Sequence, residues 1–337
     1  MSKHGDKMTL KEQVLNELEN NIGNSISGTA LADKLYVSRG AIWKAVKSLR
    51  NDGYEISAVT NKGYSLSENS NIISKAGIIP YLNDKTKKRV ILDIRKTVTS
   101  TNIVLKEIAL NGGKQGYVLI SESQTAGKGR LGRSFYSPNN TGIYMSILLR
   151  PKMTIEDSLL ITTSAAVAVS RAIENLCDKQ AKIKWVNDVF VDGRKVCGIL
   201  TESSLDFESG RLEYAVVGIG VNISKPKNDF PDEIKNTAGG FLDNVEGNVR
   251  CRLIAEILNE FIEQIENLSS KYYLDEYKRR SFLIGQNITV IKPSGNKKAK
   301  AIDIDNKARL VVEYADKSIE HLLSGEVSIR LDKSDYK

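Results

Sequence analysis

The residues best suited to chemistry lie together in one stretch, Gly127-Lys-Gly-Arg-Leu-Gly-Arg133. Its glycines permit tight turns and close approach to a ligand, and successive free N–H groups in such turns form an anion-binding concavity. Lys128, Arg130 and Arg133 add positive charge beside those N–H groups. The stretch therefore predicts a loop that binds a phosphate or a carboxylate, with a solvated basic loop as the alternative.

Two common nucleotide-binding motifs do not explain this loop. Gly127–Gly132 matches the pattern G-x-G-x-x-G, but the residues that follow, Ser134–Gly142, are rich in helix breakers and open no helix. A Walker loop needs Ser or Thr after its Gly-Lys pair, and here Lys128 is followed by glycine. If the loop binds an anion, it does so by another arrangement.

A second set of polar residues lies on a predicted β-hairpin. Asp192-Gly193 between two apolar runs is a hairpin turn signal. Asn and Asp at a strand end are commonly turn formers, whereas a lysine beside a small glycine in the second strand is harder to explain that way. The hairpin carries Lys184, Asn187, Asp188, Lys195 and Gly198.

Two further stretches are candidates to face a ligand. A predicted strand, Ala215–Val217, runs into Gly218-Ile-Gly220-Val-Asn222, and glycine within a strand often marks close approach of a ligand. Ser100-Thr101-Asn102 joins a predicted strand, Leu92–Ile94, to a predicted helix, Ile103–Leu110. Locally these three residues are helix caps, but hydroxyls at such a junction can also point at a polar ligand.

The elements that must position these residues follow a regular order. The pattern predicts a helix from Leu10, a second after Ser27-Gly28, and a third, Arg39–Arg50, after the N-cap residue Ser38. Two short β-runs around Asn61-Lys62-Gly63 add a hairpin. Together they predict a winged helix-turn-helix.

The third helix has the charge arrangement of a DNA-recognition helix. Its outward cations are suited to phosphates and base edges in the major groove. Acidic residues elsewhere in this unit balance the cations, so a protein-interaction module is the alternative. The candidate DNA contacts are Ser38, Arg39, Lys44, Lys47, Arg50 and, on the wing, Lys62.

The rest of the chain predicts a core and a small β-domain. Strands are expected at Tyr117–Ile120 and Ile143–Leu149, and a long buried helix at Ile155–Leu176 is expected to be capped by Thr154. Helices follow at Val249–Leu268 and Tyr272–Ser281. Five short β-runs after Gly285 suggest a small barrel. We predict domains at 1–68, 76–282 and 283–337.

Composition narrows the class of protein. The formal charge of +8 over 337 residues permits an acidic or nucleic-acid partner without demanding one. The three cysteines are scattered and odd in number, which argues against a disulfide framework. His4 and His321 are the only histidines, which argues against a zinc site. Because no apolar run reaches membrane-spanning length, we predict a cytoplasmic protein with no membrane partner.

Five motifs, in this order along the chain, resemble those of the bifunctional biotin–protein ligases that also repress biotin operons. The resemblance covers almost the whole chain and implies an α+β multidomain fold. That fold comprises a winged helix-turn-helix, an α/β core similar to class II aminoacyl-tRNA synthetases, and an SH3-like β-barrel. The motifs are Ser100–Asn102, Gly127–Arg133, Lys184–Asp188, Arg194–Leu200 and Gly218–Asn222.

Three residues depart from the family pattern. Lys128 replaces an arginine, which keeps the charge but loses the planar bidentate fork. Val186 replaces a proline, which should loosen a turn without removing a reacting group. Phe135 replaces a tryptophan that some relatives use to order the adenylate.

The resemblance implies an ATP-dependent ligase. Biotin's carboxylate would attack the α-phosphate of Mg²⁺-bound ATP to form biotinyl-5′-adenylate, a step that needs positive charge and positioning. Lys128, Arg130 and Lys195 would supply charge, and Asp188 would position an amine or a metal, or serve only as a turn carboxylate. Ser100, Thr101 and Gln124 would bind the ureido head. The remaining substrate-binding candidates are Asn102, Gly127, Gly129, Arg133, Phe135, Lys184, Asn187, Gly198, Gly218, Gly220 and Asn222.

The partners implied by the resemblance are a biotin carboxyl carrier protein, operator DNA, and a second copy of the chain when biotinyl-adenylate is bound. Two alternatives stay open at this stage. One is a ligase for another carboxylate such as lipoate, and the other is a non-catalytic, biotin-sensing repressor in which Lys128 and Val186 mark decay of the enzyme.

Overall fold

The computed structural model describes residues 8–59, 62–67, 70–206, 208–292, 295–323 and 328–331. The chain forms two compact units. The first comprises Met1–Tyr81 with Val245–Ala255, and the second comprises Leu82–Asn244 with Glu256–Lys337. Within the described residues, no helix is both long enough and apolar enough to cross a membrane.

The first unit contains the predicted winged helix-turn-helix. Its helices are α1 (Leu10–Glu19), α2 (Gly28–Leu35) and α3 (Arg39–Asn51), and its hairpin strands are β1 (Ile56–Val59) and β2 (Gly63–Leu66). A short helix, α4 (Lys75–Ile78), follows. Two residues at the tip of the predicted wing, Thr60 and Asn61, lie outside the described residues.

Local signals begin each of the three main helices. Thr9 and Glu12 form a reciprocal capping box on α1, while the side chains of Ser27 and Ser38 accept the backbone N–H groups of Ala30 and Ala41. Apolar residues of all three helices then meet in one core. That core includes Val14, Leu18, Leu31, Ile42, Val46 and Leu49.

A buried carboxyl group lies where α1 meets α4. The Ser74 hydroxyl donates to Glu19 Oε1 and also caps α4 by accepting the Gly77 N–H at 2.9 Å. The other oxygen, Glu19 Oε2, is buried and has no hydrogen-bond partner among the described residues. Burial raises the pKa of Glu19 to about 7, against an ordinary value of 4.5, although the bond from Ser74 opposes this.

We expect Glu19→Gln to stabilise the protein at pH 8 but not at pH 4.5. Below pH 4.5 the Glu19 carboxyl is protonated in both the folded and the unfolded chain, so its charge costs the folded state nothing. Between pH 4.5 and 7 the carboxyl ionises readily only in the unfolded chain, so the free energy of unfolding falls as pH rises. Glutamine does not ionise, and the variant therefore avoids this loss. The difference between the two pKa values of Glu19 corresponds to at most ~3 kcal/mol in the free energy of unfolding. Urea unfolding of both proteins at the two pH values measures it, and an equal gain at both would contradict the assignment.

The second unit is built on a seven-stranded sheet with strand order β3-β4-β5-β9-β8-β7-β6. Only β3 and β4 are parallel, and the other pairs are antiparallel. The strands are β3 (Ile91–Val98), β4 (Tyr117–Gln124), β5 (Gly142–Leu149), β6 (Ala181–Lys184), β7 (Asp188–Val191), β8 (Arg194–Asp206) and β9 (Arg211–Asn222). Several are longer than predicted because sheet pairing continues through their polar residues.

Helices accompany this sheet, and those at Thr101–Leu110, Ser158–Cys177 and Tyr272–Arg280 pack against its strands. The helices are α5 (Asp84–Lys87), α6 (Thr101–Leu110), α7 (Ser158–Cys177), α8 (Val249–Glu266), which begins in the first unit, and α9 (Tyr272–Arg280). The predicted start of α7 at Ile155 is wrong, because Ile155–Asp157 forms a single 3-10 turn. The Thr154 hydroxyl donates to the Asp157 carboxylate at 3.1 Å and caps no helix.

The C-terminal part of the second unit is a five-stranded antiparallel sheet with strand order β13-β12-β11-β10-β14. Its strands are β10 (Asn287–Lys292), β11 (Gly295–Ile304), β12 (Leu310–Tyr314), β13 (Ile319–Leu322) and β14 (Ser328–Leu331). The β11–β12 turn contacts the part of the unit built on the seven-stranded sheet, since Trp185 Nε1 donates to Ala308 O at 2.9 Å. The sequence signals for this domain include turns at Pro293-Ser-Gly295 and Ser324-Gly325 and a β-run that starts at Val327. Of these residues, Pro293, Ser294, Ser324, Gly325 and Val327 lie outside the described residues.

Candidate functional site

A polar cleft opens at the centre of the seven-stranded sheet. The beginning of α6, the end of β4, the glycine-rich loop and the middles of β5, β8 and β9 all contribute to it. The lining residues are Ser100, Thr101, Asn102, Gln124, Lys128, Phe135, Met145, Gly198, Leu200, Gly218, Ile219 and Gly220. Four of the five sequence motifs, separated by up to about a hundred residues, therefore meet at one place.

Met145, Leu200 and Ile219 belong to the cleft but were not predicted. They lie in apolar strand runs that sequence patterns assign to the core. The register places Ile219 opposite Met145, and Leu200 opposite Gly218. The sequence carried a signal for Ile219 alone, because it lies between Gly218 and Gly220, and strand glycines often mark close approach of a ligand. Met145 and Leu200 come near these glycines only through the register of the sheet.

The residues at the start of α6 do not act as side-chain caps, so the local cap interpretation of this stretch is wrong. Ser100 is the N-cap residue but its hydroxyl makes no capping bond. Instead, Gln124 Oε1 accepts the Thr101 N–H at 2.8 Å and lies 3.2 Å from the Thr101 hydroxyl. Asn102 donates to Leu200 O at 3.1 Å and to Glu202 Oε2 at 2.8 Å. Tertiary partners have replaced the local ones.

The glycine-rich loop folds back on itself. The Gly129 N–H donates to Arg133 O at 2.7 Å, and the Phe135 N–H donates to Gly127 O at 2.8 Å. Between these bonds, Arg130–Gly132 makes one 3-10 turn with Leu131 at φ 55°. No α-helix begins there, as the sequence predicted. A Cβ on Gly127 would lie 2.4 Å from Phe135 O, so this position requires glycine.

The ring of Phe135 lies against two glycines that were predicted to be substrate-binding residues. A Cβ on Gly220 would lie 2.5 Å from that ring, and one on Gly198 would lie 3.2 Å from it. The ring also packs edge-on against Tyr144, with centroids 6.4 Å apart. In this conformation, Gly198 and Gly220 make room for an aromatic side chain that forms one wall of the cleft.

The hairpin brings cations and one carboxylate to the edge of the cleft. Lys195 Nζ lies 2.6 Å from Asp188 Oδ1 as an ion pair, and Arg130 donates to Asn187 Oδ1 at 3.0 Å. Burial lowers the pKa of Arg130, and the charge of Asp188 opposes that effect. The predicted turn is present, with Asp192 at φ 50° and Gly193 at φ 72°.

The other predicted residues lie around the cleft or outside its lining. Lys184 ends β6 opposite Asp188, and Asn222 ends β9 opposite Gly142. Gly129 and Arg133 belong to the folded-back loop. Val186, the departure in the hairpin motif, is buried and its carbonyl accepts the Tyr277 hydroxyl at 2.9 Å. Across the described part of the chain, no three acidic, histidine or cysteine side chains cluster as a metal site.

The outer face of α3 is basic and carries an aromatic ring. Arg39, Lys44 and Lys47 are exposed, and Trp43 is 53% exposed, with Lys47 Nζ 5.1 Å from its ring centroid. Arg50 is also exposed, but its Nε donates to Ile56 O at 2.7 Å and so ties α3 to the hairpin. Lys62 is exposed on the wing.

The fold and the cleft together define a class of protein: a ligase core joined to a helix-turn-helix domain. A model of the biotin/lipoate A/B protein ligase family matches residues 94–222. A helix-turn-helix domain matches residues 11–65, and a biotin protein ligase C-terminal domain matches residues 283–330. These matches agree with the winged helix, the ligase core and the β-rich C-terminal domain described above.

The chain belongs to the family of bifunctional ligase/repressor proteins. It is 31% identical to the bifunctional ligase/repressor BirA of Bacillus subtilis over 96% of this chain and 99% of that protein. It is 26% identical to BirA of Escherichia coli over 91% of this chain and 94% of that protein. The biotin protein ligase from Aquifex aeolicus in complex with biotin and ATP aligns with a TM-score of 0.61 and 25% identity, covering 72% and 99% of the two chains.

Proposed function

We propose that this protein is a biotin–protein ligase and a biotin-responsive repressor. It forms biotinyl-5′-adenylate from biotin and ATP and transfers biotin to a lysine of a carboxyl carrier protein. The observation that carries the proposal is a cleft whose floor offers paired hydrogen-bonding groups while its rim offers positive charge. The family relatives named above support both roles.

The floor of the cleft suits the cyclic urea of biotin. Gln124 Nε2 donates one hydrogen to Ser137 Oγ at 2.8 Å, and among the described contacts its second hydrogen remains available for a ligand carbonyl. Beside it, Ser100 and Thr101, which both carry a hydroxyl, line the cleft. A group that carries both C=O and N–H matches such a floor, whereas the dithiolane ring of lipoate carries neither.

The rim of the cleft suits the reaction between two anions. Lys128 lines the cleft, while Arg130 and the Lys195–Asp188 pair lie at the hairpin beside it. These cations would hold biotin's carboxylate and the α-phosphate together as pyrophosphate leaves. Asp188 is already paired with Lys195, and it stands alone as a carboxylate on the hairpin strand β7. The described residues do not fit a resident metal ion, so Mg²⁺ would enter as part of the ATP substrate.

The finer architecture is also part of the proposal. The mainly antiparallel seven-stranded sheet, with α6 and α7 packed on it, supports a core like that of class II aminoacyl-tRNA synthetases. The five-stranded antiparallel sheet supports an SH3-like barrel for residues 283–337. Domain limits of 1–68 and 76–282 remain predictions, as do a cytoplasmic location and a homodimer that forms when biotinyl-adenylate is bound.

Exchange of pyrophosphate into ATP tests the activity directly. We expect exchange to depend on biotin and to be at least about 100-fold slower with lipoate, because lipoate leaves the floor groups unpaired. Transfer of biotin to a purified acceptor domain tests the second step. Exchange with lipoate alone would favour the lipoate-type ligase, and absence of any exchange would favour the non-catalytic repressor.

A further inference from the structure

A serine behind the cleft takes no part in the chemistry proposed above. Ser146, at the centre of β5, is fully buried. Its Oγ lies 2.7 Å from Thr101 Oγ1 and 2.6 Å from Asn102 Oδ1. It therefore touches two residues of the cleft without lining the cleft itself.

The orientation of the Asn102 amide is fixed by its acceptors. Nδ2 donates to Leu200 O and to Glu202 Oε2. Although burial favours its neutral form, hydrogen bonds from Lys106 and Asn102 lower the pKa of Glu202, so it accepts as a carboxylate. Lys106 Nζ lies 2.6 Å from its other oxygen. Both amide hydrogens of Asn102 are thus used, and Oδ1 must face Ser146.

Counting hydrogens then fixes the direction of the remaining bonds. Ser146 has one hydroxyl hydrogen and two oxygen neighbours within bonding distance. Asn102 Oδ1 can only accept, so it takes that hydrogen. Ser146 Oγ and Thr101 Oγ1 lie 2.7 Å apart, and two oxygens at this distance would repel each other without a hydrogen between them. Because the Ser146 hydrogen is used on Asn102, the hydrogen between the two hydroxyl oxygens must come from Thr101. Gln124 Oε1 also lies near the Thr101 hydroxyl, but at 3.2 Å, and it already accepts the Thr101 N–H. The shorter contact with Ser146 therefore takes the hydroxyl hydrogen of Thr101.

We propose that Ser146 is a positioning residue that makes the Thr101 hydroxyl a hydrogen-bond acceptor toward the cleft. With its hydrogen held by Ser146, Thr101 has only lone pairs to offer a ligand. Thr101 then selects a head group with an N–H, while the second hydrogen of Gln124 selects the adjoining C=O. This inference rests on the proposed function. It means that a residue without contact to the ligand, Ser146, contributes to selectivity for a cyclic urea by orienting the Thr101 hydroxyl.

The unmodified protein supplies the first test. Two cyclic carbamate analogues of biotin each replace one ring N–H with oxygen and keep the shape of the ring. Calorimetry should show one isomer binding at least about 100-fold more weakly than biotin, because its ring oxygen faces the lone pairs of Thr101. If both carbamates bind as tightly as biotin, the proposal is overturned. If biotin itself does not bind, the proposed function is wrong, and the role proposed for Ser146 is wrong for that reason.

Ser146→Ala supplies the second test, with Ser170→Ala as its control. Ser170 is equally buried, but its hydroxyl donates to a backbone carbonyl within α7. In Ser146→Ala the Thr101 hydroxyl is released, so the carbamate penalty should fall to about 10-fold or less. The KM for biotin should rise about 10-fold, with kcat and the KM for ATP within about twofold of wild type. A carbamate penalty equal in wild type and Ser146→Ala would overturn the proposal, as would an equal change in Ser170→Ala.

Discussion

We expect Lys195→Ala to lower biotin-dependent pyrophosphate exchange by at least about 100-fold. Lys195 lies on the hairpin strand β8, and a Cβ built on the cleft residue Gly198 would lie 3.5 Å from its Nζ. Loss of one preorganised positive group at the point where charge develops typically costs about 3 kcal/mol in transition-state stabilisation. The change should appear in kcat, because the charge acts on the reacting groups more than on the bound ground state.

The ion pair with Asp188 needs its own control. Removing Lys195 leaves the Asp188 carboxylate without its partner, and that alone could disturb the hairpin. The double variant Lys195→Ala with Asp188→Asn removes the unpaired charge but does not restore the cation. We expect the double variant to remain as slow as the single one. Recovery of exchange in the double variant would show that Lys195 merely neutralises Asp188.

A matched lysine shows whether the effect is specific. Lys179 lies near the same hairpin, with Nζ 3.9 Å from Asp192 Oδ2, and its side chain is 40% exposed. Lys179→Ala removes the same charge at a greater distance from the cleft, where solvent screens it. Its exchange rate should stay within about twofold of wild type. Near wild-type exchange by Lys195→Ala would end the catalytic assignment of that residue.

The second large effect concerns DNA. We expect biotin together with ATP to tighten binding to the operator by about 100-fold or more. One winged helix offers few cations, so a monomer neutralises few phosphates and binds weakly. In the proposed dimer, binding of the second winged helix becomes intramolecular, which raises affinity without any new contact on α3. Fluorescence anisotropy with labelled operator DNA, with and without both ligands, measures the difference. Equal affinity in the two conditions would exclude a corepressor role for the adenylate.

Charge reversal on α3 separates DNA binding from catalysis. Lys44→Glu places a negative charge on the exposed face of that helix and should weaken operator binding at least about 10-fold and reduce its salt dependence. Lys75→Glu makes the same change on α4, which packs against α1, and serves as the control. Both variants should retain pyrophosphate exchange. If the control weakens DNA binding as much as Lys44→Glu, net charge and not α3 determines the affinity.

The winged helix shows how far local sequence can go. The helices α1, α2 and α3 begin close to the predicted residues. Each is preceded by a residue whose side chain accepts the backbone N–H three positions further along, and these N-cap residues are Thr9, Ser27 and Ser38. The Asp192-Gly193 turn was equally predictable, since it needs two residues with positive φ. Caps and turns depend only on residues that are close in the sequence, so a sequence pattern is enough to predict them.

The glycine-rich loop and the hairpin were predictable in kind but not in detail. Their glycines and cations indicated an anion site, and the structure places Lys128 in the cleft. The sequence did not reveal that Phe135 would pack on Gly198 and Gly220, nor that Ser100 would leave its capping role. Those outcomes are set by partners many residues distant, whose energies compete with the local preferences.

The hydrogen-bond network behind the cleft was decided by the tertiary structure alone. Ser146, Gly218 and Leu200 come from three strands, and only the register of the sheet places them in one row. Because Gly218 has no side chain, the Asn102 amide fits against it and reaches Ser146; a Cβ there would lie 2.1 Å from Asn102 Oδ1. A buried serine in an apolar strand carries no signal of its own. Its role exists only after folding has buried its hydroxyl and left it two specific partners, since a buried polar group must be satisfied by whatever the fold brings to it.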